Sequence, residues 1–208
     1  TKDIFPAYLS NKSYLVCRKE GEELMTTPVP PSADNAVIAT SRGRLSDDGV
    51  MMIENKIDFL GVNDTIYRGA LARRTPEERN RLFERIVARF SAGAEMLSCE
   101  IEPEDMRDTE KPLSVKIVSR IPEAALKGRT QLLTPMVSKA FGYVNFLLEG
   151  STSLAKRKYP LVLDTTAETR ETLKVSLGDL AGSVKSLPPA TATTNGYDYS
   201  RKFTVKDG

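Results

Sequence analysis

The stretch from Thr75 to Phe90 constrains the fold most, because it carries both a helix start and an apolar stripe. Thr75 can cap the first amides, Pro76 suits the first helical position, and Glu78 completes a capping box. The apolar residues that recur at helical spacing after this start are Leu82, Phe83, Ile86, Val87 and Phe90. Segments with strand character lie on both sides. The stretch therefore predicts a helix that packs its stripe on a sheet.

Strand-like segments separated by polar turns predict two hairpins. The first joins residues 13–18 to 23–27, and the second joins 36–45 to 50–60 through Asp48-Gly49, a strong hairpin signal. A short helix, capped by Asn63 or Asp64, should follow the second hairpin and carry Tyr67 and Leu71 on its apolar face. Alternation predicts further strands at residues 94–101, 113–121, 158–163, 169–177 and 197–205.

These elements predict a mainly β, β-rich α+β fold, namely an antiparallel β-sandwich-like domain with one or two packed helices. A chain of 208 residues is long enough for one good core or two small ones. The prolines Pro28, Pro30 and Pro31 favour an extended stretch. We therefore expect a connector at residues 1–34 and the main domain at residues 35–208.

The composition excludes several kinds of chemistry. The chain has no histidine, which removes histidine general bases, Cys-His and Ser-His nucleophilic pairs and histidine metal ligands. A formal net charge of +2, without a basic face, argues against a nucleic-acid partner. No apolar run is long enough for a transmembrane segment, and the first residues show no signal peptide. No cofactor is expected.

The two cysteines, Cys17 and Cys99, each lie in an alternating apolar run. Free cysteine is a common core residue, so two buried thiols are the preferred interpretation. A single disulfide between them is the alternative. Two thiols cannot complete a zinc site by themselves.

An acidic loop is the first candidate for chemistry, and its carboxylates are Glu100, Glu102, Glu104, Asp105, Asp108 and Glu110. The loop lacks the spacing and the central glycine of a calcium loop, so a solvated loop is preferred to a metal site. A glycosidase pair is a weaker alternative, because spacing within one loop does not fix the distance between two carboxylates.

Two further sets of side chains are candidate surfaces. Arg81, Arg85 and Arg89 lie four residues apart on the main helix and form either a solvated edge, which is preferred, or an anion-binding stripe. Tyr197 and Tyr199 lie on one face of a late strand, where they either form an interaction surface or belong to core or cross-strand packing. No catalytic constellation emerges, so the sequence offers no catalytic or metal-binding residue.

Several short sequences match, in order, a known bacterial arrangement. They are Ile4-Phe5-Pro6-Ala7-Tyr8-Leu9, Glu23-Leu24-Met25-Thr26-Thr27-Pro28, Gly43-Arg44-Leu45, Asp48-Gly49, Thr75-Pro76-Glu77-Glu78-Arg79, Lys158-Tyr159-Pro160-Leu161 and Ser186-Leu187-Pro188. In this order the chain resembles the region C-terminal to the catalytic domain in transglutaminase-like proteins that also carry an N-terminal domain of unknown function.

The resemblance implies a mostly β accessory domain of a protein exported to the periplasm or cell surface. The papain-like Cys, His and Asp triad of the family would lie upstream, so residues 1–34 would connect the catalytic domain to this one. The chain departs from the triad because it has no histidine, and neither Cys17 nor Cys99 lies in a matching motif. No catalytic residue is carried over, and the chain by itself is not expected to be an enzyme.

The sequence thus favours a non-catalytic accessory or interaction domain that supports or positions the catalytic domain of its parent, or binds the target of that domain. The expected partners are that catalytic domain and, in addition, a cell-envelope protein or glycan. One alternative is a stand-alone extracellular carbohydrate- or protein-binding module that uses Tyr197 and Tyr199. Another alternative is a hydrolase that uses the acidic loop.

Overall fold

The structure is a computed structural model that describes residues 5–6, 9–17, 23–89, 92–125, 137–141, 156, 158–160, 165–183, 188–194 and 197–205. The strands within these residues are β1 (Ser13–Tyr14), β2 (Met25–Thr26), β3 (Ala36–Leu45), β4 (Met51–Phe59), β5 (Glu95–Glu102), β6 (Leu113–Ile121), β7 (Glu168–Ser176), β8 (Ala190–Thr194) and β9 (Tyr197–Arg201). The α-helices are α1 (Val62–Ala72) and α2 (Pro76–Val87). Short 3-10 helices lie at Ser32–Asn35, Val137–Ala140 and Gly178–Ser183.

The central feature is a five-stranded sheet with the strand order β5-β6-β4-β3-β7. This arrangement confirms the predicted mainly β, α+β fold class. The pairs β5·β6, β6·β4 and β4·β3 are antiparallel, but β7 runs parallel to β3, so the sheet is mixed. A parallel pair needs a long crossover, which the chain between β6 and β7 provides. The sandwich part of the expectation is not confirmed, because the described residues contain one such sheet and no second sheet stacked on it.

The predicted hairpin of β3 and β4 is confirmed, and its turn shows why Asp-Gly stands there. Asp48 accepts hydrogen bonds from the hydroxyl of Ser46 at 2.5 Å and from the amide of Val50 at 3.2 Å. Gly49 has a φ of +86°, and a Cβ at this position would lie 2.0 Å from the carbonyl oxygen of Ala125. The turn therefore requires glycine both for its conformation and for the close approach of another segment.

One face of the sheet, here called the covered face, holds the core. Along β4 every second residue is buried, from Met51 to Phe59, as the period of a strand requires. The largest cluster places Phe59 against Tyr67 of α1, with ring centroids 4.4 Å apart, and against Phe141, with centroids 5.8 Å apart. Phe83 of α2 completes this aromatic group, 6.2 Å from Phe141. The helices and the 3-10 helix Val137–Ala140 thus supply the layer over this face.

Helix α2 begins as the sequence predicts. The side chain of Thr75 accepts a hydrogen bond from the amide of Glu78 at 3.3 Å, and the Glu78 carboxylate accepts one from the amide of Thr75 at 2.9 Å. Phe83 and Val87 are fully buried, whereas Leu82 and Ile86 are partly buried and pack against the same core. The predicted stripe is therefore a core face, although its last member, Phe90, lies outside the described residues.

The predicted cap of α1, Asn63 or Asp64, is two or three residues too late. The cap position is Gly61, with a φ of +59°, and both Asn63 and Asp64 are buried within the helix. The amide of Val62 donates to the side-chain oxygen of Asn35 at 3.0 Å, and the Asn63 side chain donates to the Asn35 carbonyl at 2.8 Å. A residue distant in sequence thus caps this helix, which a local capping rule cannot detect.

Two small ribbons lie outside the central sheet. The first predicted hairpin forms the β1–β2 ribbon, in which Tyr14 stands opposite Met25, and a five-residue pairing forms the β8–β9 ribbon. The predicted strand at 158–163 is not seen at residues 158–160, and residues 161–163 lie outside the described part. Within the described part, no helix combines the length and the apolar character needed to cross a membrane.

Candidate interaction surfaces

The two cysteines differ from the predicted pair of buried thiols. Cys17 is exposed, Cys99 is partly buried, and both are free, so the disulfide alternative is also wrong. Burial, helped by the nearby Glu100 carboxylate, raises the pKa of the Cys99 thiol to about 12. A thiol with this pKa stays protonated at neutral pH and is a poor nucleophile. The error over Cys17 arose because the short β1–β2 ribbon alternates like a core strand without a layer of side chains covering Cys17.

A buried ion pair on α1 holds the backbone of the acidic loop in place. Arg68 and Asp64 are both almost completely buried, with Arg68 Nε 2.8 Å from Asp64 Oδ1 and Arg68 Nη2 2.9 Å from Asp64 Oδ2. The same guanidinium donates to the carbonyl oxygens of Asp108 at 3.0 Å and Lys111 at 2.8 Å. The amide of Leu113, the first residue of β6, donates to Asp64 at 2.8 Å. The pair therefore ties α1, the loop and β6 together.

Two of the loop carboxylates have local structural roles. Asp105 accepts a hydrogen bond from the amide of Arg107 at 2.9 Å, and Asp108 accepts one from the amide of Glu110 at 3.2 Å. Such bonds are typical of aspartates that stabilise turns. Within the described residues no three potential ligands from cysteine, aspartate and glutamate gather into a cluster that could hold a metal ion.

The arginine edge of α2 faces solvent. Arg81, Arg85 and Arg89 are exposed, and the first two line a shallow depression of about 240 Å³ together with Arg74 and Glu78. Arg74 is engaged with the carbonyl of Ala70. The arrangement matches the preferred interpretation of a solvated helix edge.

The predicted tyrosine surface lies on the β8–β9 ribbon. Tyr199 stands opposite Ala192 and is 52% exposed, so its ring is open to a ligand. Tyr197 belongs to the same strand and pairs with Thr194, but its side chain lies outside the described part. Tyr199 alone therefore represents this surface in the structure.

A concentration of exposed apolar side chains, which sequence reasoning did not single out, lies within residues 9–17 and 23–29. Of the twelve large apolar side chains that are exposed in the described part, six belong to this segment. They are Leu9, Tyr14, Leu15, Leu24, Met25 and Val29. We call residues 9–17 and 23–29 the apolar ribbon. Isolated exposed apolar residues are normal on a protein surface, but a concentration of this kind is typical of a contact site.

The apolar ribbon is held in shape by polar contacts at its base. The amide of Lys12 donates to the hydroxyl oxygen of Thr27 at 2.8 Å, and the amide of Thr27 donates to the Lys12 carbonyl at 2.9 Å. The Thr27 hydroxyl also contacts the Leu9 carbonyl. These contacts join the two strands of the ribbon at its base.

The second unpredicted surface is the face of the central sheet opposite the covered face, here called the open face. Towards one end this face has a shallow depression of about 310 Å³ whose lining includes Arg42, Arg44, Met52, Glu54 and Val118. The alternation of β3 and β4 predicts which residues share this face, but the sequence does not show that the face stays uncovered.

Comparison of the chain with protein-family models, with curated proteins and with solved structures finds no match. The apolar ribbon and the open face are therefore the observations from which a function can be inferred.

Proposed function

We propose that the chain is a non-catalytic accessory or interaction domain of a transglutaminase-like protein, and that its apolar ribbon docks on the catalytic domain of the same parent. The observation that carries the proposal is the concentration of exposed apolar side chains between residues 9 and 29. The ribbon lies within the predicted connector, residues 1–34. In the arrangement that the sequence resembles, this is the segment nearest to the catalytic domain.

The energetic reason for docking is the apolar area that the ribbon leaves in water. Leu15 and Leu24 are 60% and 69% exposed, and Tyr14 and Met25 beside them are 38% and 44% exposed. Complete burial of a leucine side chain is worth about 1.5–3 kcal/mol. Burial of Leu15 and Leu24 against a matching apolar surface would supply a share of the free energy of a specific interface.

A supporting role rather than a catalytic one agrees with the chemistry of the chain. It has no histidine, and burial raises the pKa of the Cys99 thiol to about 12. Thiol acyl transfer needs a thiolate with a paired base, and the chain has no histidine to act as that base for either thiol. We expect the chain to act by binding and positioning. By the same resemblance we propose the periplasm or the cell surface as its compartment.

The test is a calorimetric titration of the chain with the purified catalytic domain of the transglutaminase-like parent. Leu15→Asp combined with Leu24→Asp should weaken binding about tenfold or more, because charges replace two apolar anchors. Leu97→Asp is the matched control, since Leu97 is a similarly exposed leucine, 52%, on β5. It should leave the affinity unchanged.

The proposal fails if wild type does not bind the catalytic domain, or if the ribbon variant binds as tightly as wild type. Far-ultraviolet circular dichroism of each variant checks that it is folded. Both leucines are exposed, so we expect both ribbon substitutions to leave the fold intact.

A second candidate function rests on Tyr199, whose exposed ring suits a carbohydrate or protein ligand of the cell envelope. On this proposal the chain acts as a binding module without its parent. Binding to cell-envelope polysaccharide that falls in Tyr199→Ala but not in the ribbon variant would favour it. Binding that is unaffected by Tyr199→Ala would exclude this tyrosine as the contact.

A further inference from the structure

We propose that the open face of the central sheet binds the open face of a second copy of this chain, which gives a two-fold symmetric, salt-sensitive dimer. The occupant is inferred from the distribution of charge on that face, which is complementary to itself. The inference is independent of the apolar ribbon and of the proposed catalytic partner.

Strand register defines the open face. Successive residues of a strand point to opposite faces, so the alternate, less buried residues share the side away from the core. In one row across the sheet, Lys174 of β7, Arg42 of β3, Glu54 of β4, Val118 of β6 and Ser98 of β5 stand side by side. None of these five residues is buried.

The charges in the middle of the face neutralise one another. Lys56 pairs with Asp58 at 3.0 Å, and Lys116 pairs with Glu54 at 3.1 Å. Arg120 lies 3.8 Å from Glu95. The centre of the face is therefore close to neutral.

The two opposite corners of the face retain opposite charge. At one corner Arg42, Arg44 and Lys174 are exposed, and none forms an ion pair with another described residue. Arg42 and Lys174 even stand directly opposite each other, an arrangement of like charges that costs the isolated sheet stability. At the diagonal corner, β5 presents the exposed carboxylates of Glu102 and of Glu100, which shares the ammonium of Lys116 with Glu54 and so leaves the corner with net negative charge.

A two-fold axis can satisfy both corners at once. If the axis lies between two stacked sheets, perpendicular to the diagonal, each cationic corner comes to rest over the acidic corner of the other copy. The same contact is then made twice, as a two-fold interface requires. The strands of the two sheets cross steeply in this arrangement, and steep crossing is one of the two ways in which β-sheets stack.

The size of the face is also adequate. Five strands about 4.8 Å apart, each presenting about eight residues at about 3.3 Å per residue, give a footprint of about 600 Å² on each copy. Two such footprints reach the lower end of the range for specific interfaces, about 1,200 Å² in total. Met52, which is 40% exposed, and Val118 offer an apolar patch near the cationic corner.

A long polyanion fits this face less well than a second copy does. The acidic corner would repel a nucleic acid or an acidic polysaccharide that crossed the sheet, and no aromatic ring lies among the described open-face residues of β3 to β7. A face with one cationic and one acidic corner is best matched by a surface that carries the same two corners in reverse order. The open face of a second copy is such a surface.

The first test is sedimentation velocity of the purified chain at increasing concentration, in about 0.1 M and about 1 M salt. Raising the salt shortens the screening length from about 10 Å to about 3 Å. We expect the sedimenting mass to double with concentration at the lower salt, and the dimer dissociation constant to rise about tenfold or more at the higher salt. A chain that stays monomeric at every concentration overturns the proposal.

The decisive test is a charge-swap pair. Arg42→Glu with Lys174→Glu makes both corners acidic, and Glu100→Lys with Glu102→Lys makes both corners basic. Each variant alone should be monomeric because its corners repel those of a second copy. An equimolar mixture should restore a heterodimer. All four positions are exposed, so both variants should fold, which circular dichroism verifies.

The control is Arg81→Glu with Arg85→Glu, which makes the same change in net charge as Arg42→Glu with Lys174→Glu, but on the exposed edge of α2. This variant should dimerise like wild type. The proposal is wrong if either charge-swap variant dimerises like wild type, or if the mixture remains monomeric. It is also wrong if the open face instead binds the catalytic domain, which would appear as loss of that binding in the charge-swap variants while the ribbon variant still bound it.

Discussion

The guanidinium of Arg68 forms a bidentate ion pair with the carboxylate of Asp64, with Nε 2.8 Å from Oδ1 and Nη2 2.9 Å from Oδ2. Both side chains are removed from solvent, and the remaining donors of Arg68 reach carbonyl oxygens of the acidic loop. A buried pair of this kind fixes geometry more than it adds net stability, because desolvation of the two charges offsets much of their attraction. Removal of only one of the two charges, however, lowers the free energy of unfolding strongly, because the other charge stays buried without its counter-ion.

Arg68→Ala should therefore destabilise the fold by about 3–5 kcal/mol, because it leaves the Asp64 carboxylate buried without its counter-ion. Urea denaturation measures the loss. Arg81→Ala, at an exposed arginine of α2, is the control and should change the free energy of unfolding by no more than about 0.5 kcal/mol. Equal stability of Arg68→Ala and wild type would show that the ion pair has no structural role.

Asn35→Ala should cost about 1–2 kcal/mol, because the Asn35 side chain accepts from the first amide of α1 at 3.0 Å and donates to Thr165 at 3.2 Å. Thermal unfolding monitored by circular dichroism gives the value. Asn80→Ala is a matched control, since the Asn80 side chain is exposed and contacts only Glu84 of its own helix among the described residues. A similar, small effect of both substitutions would mean that the remote cap does not stabilise α1.

Phe83→Asp should unfold or aggregate the chain, because Phe83 is only 1% exposed within the aromatic cluster and the new charge would have no partner. Arg85→Ala, two residues along the same helix, should cost less than about 1 kcal/mol. Comparing the melting temperatures of the two variants with that of wild type shows which side of α2 is buried in the core. An unchanged melting temperature for Phe83→Asp would make the stripe an open docking surface instead of a core face.

Cys99 should resist alkylation in the folded chain, whereas the exposed Cys17 should react readily. Burial raises the pKa of Cys99 from 9.0 to about 12, so the folded state holds this proton more firmly than the unfolded state. Its contribution to stability is therefore complete below pH 9.0 and is lost as the pH rises towards about 12.

The pH dependence is measured by urea denaturation of wild type, Cys99→Ala and Cys17→Ala. Above pH 9.0 the free energy of unfolding of wild type should fall more steeply than that of Cys99→Ala. Cys17→Ala should follow wild type. Parallel curves for all three chains would show that Cys99 titrates alike in the folded and unfolded states.

Local signals allowed much of this fold to be predicted from the sequence. The capping box at Thr75, the Asp48-Gly49 turn and the alternation of β6 each depend on residues close together in the chain, and each is confirmed. The start of α1 and the parallel pairing of β7 were not predicted, because they depend on contacts between distant segments. Asn35 caps α1 from outside the helix, and β7 pairs with β3 across a long crossover.

The candidate surfaces were harder to predict for the same physical reason. Tyr14 and Met25 lie in apolar runs of strand-like composition, as core residues do, and only the structure shows that they remain exposed. Arg68 lies four residues after Asp64, the spacing of an ordinary surface pair, but the loop that ends before Leu113 buries it. Exposure and burial at these sites depend on what packs against them, which spacing alone does not reveal.

The central proposal is that the chain docks on the catalytic domain of its parent through the apolar ribbon. Hydrogen–deuterium exchange of the chain, alone and with the transglutaminase-like catalytic domain, tests that claim directly because it locates the contact on the backbone. We predict that added protection is concentrated between residues 9 and 29 and that α2 exchanges as before. Protection concentrated on α2, or no change anywhere in the chain, would contradict the account.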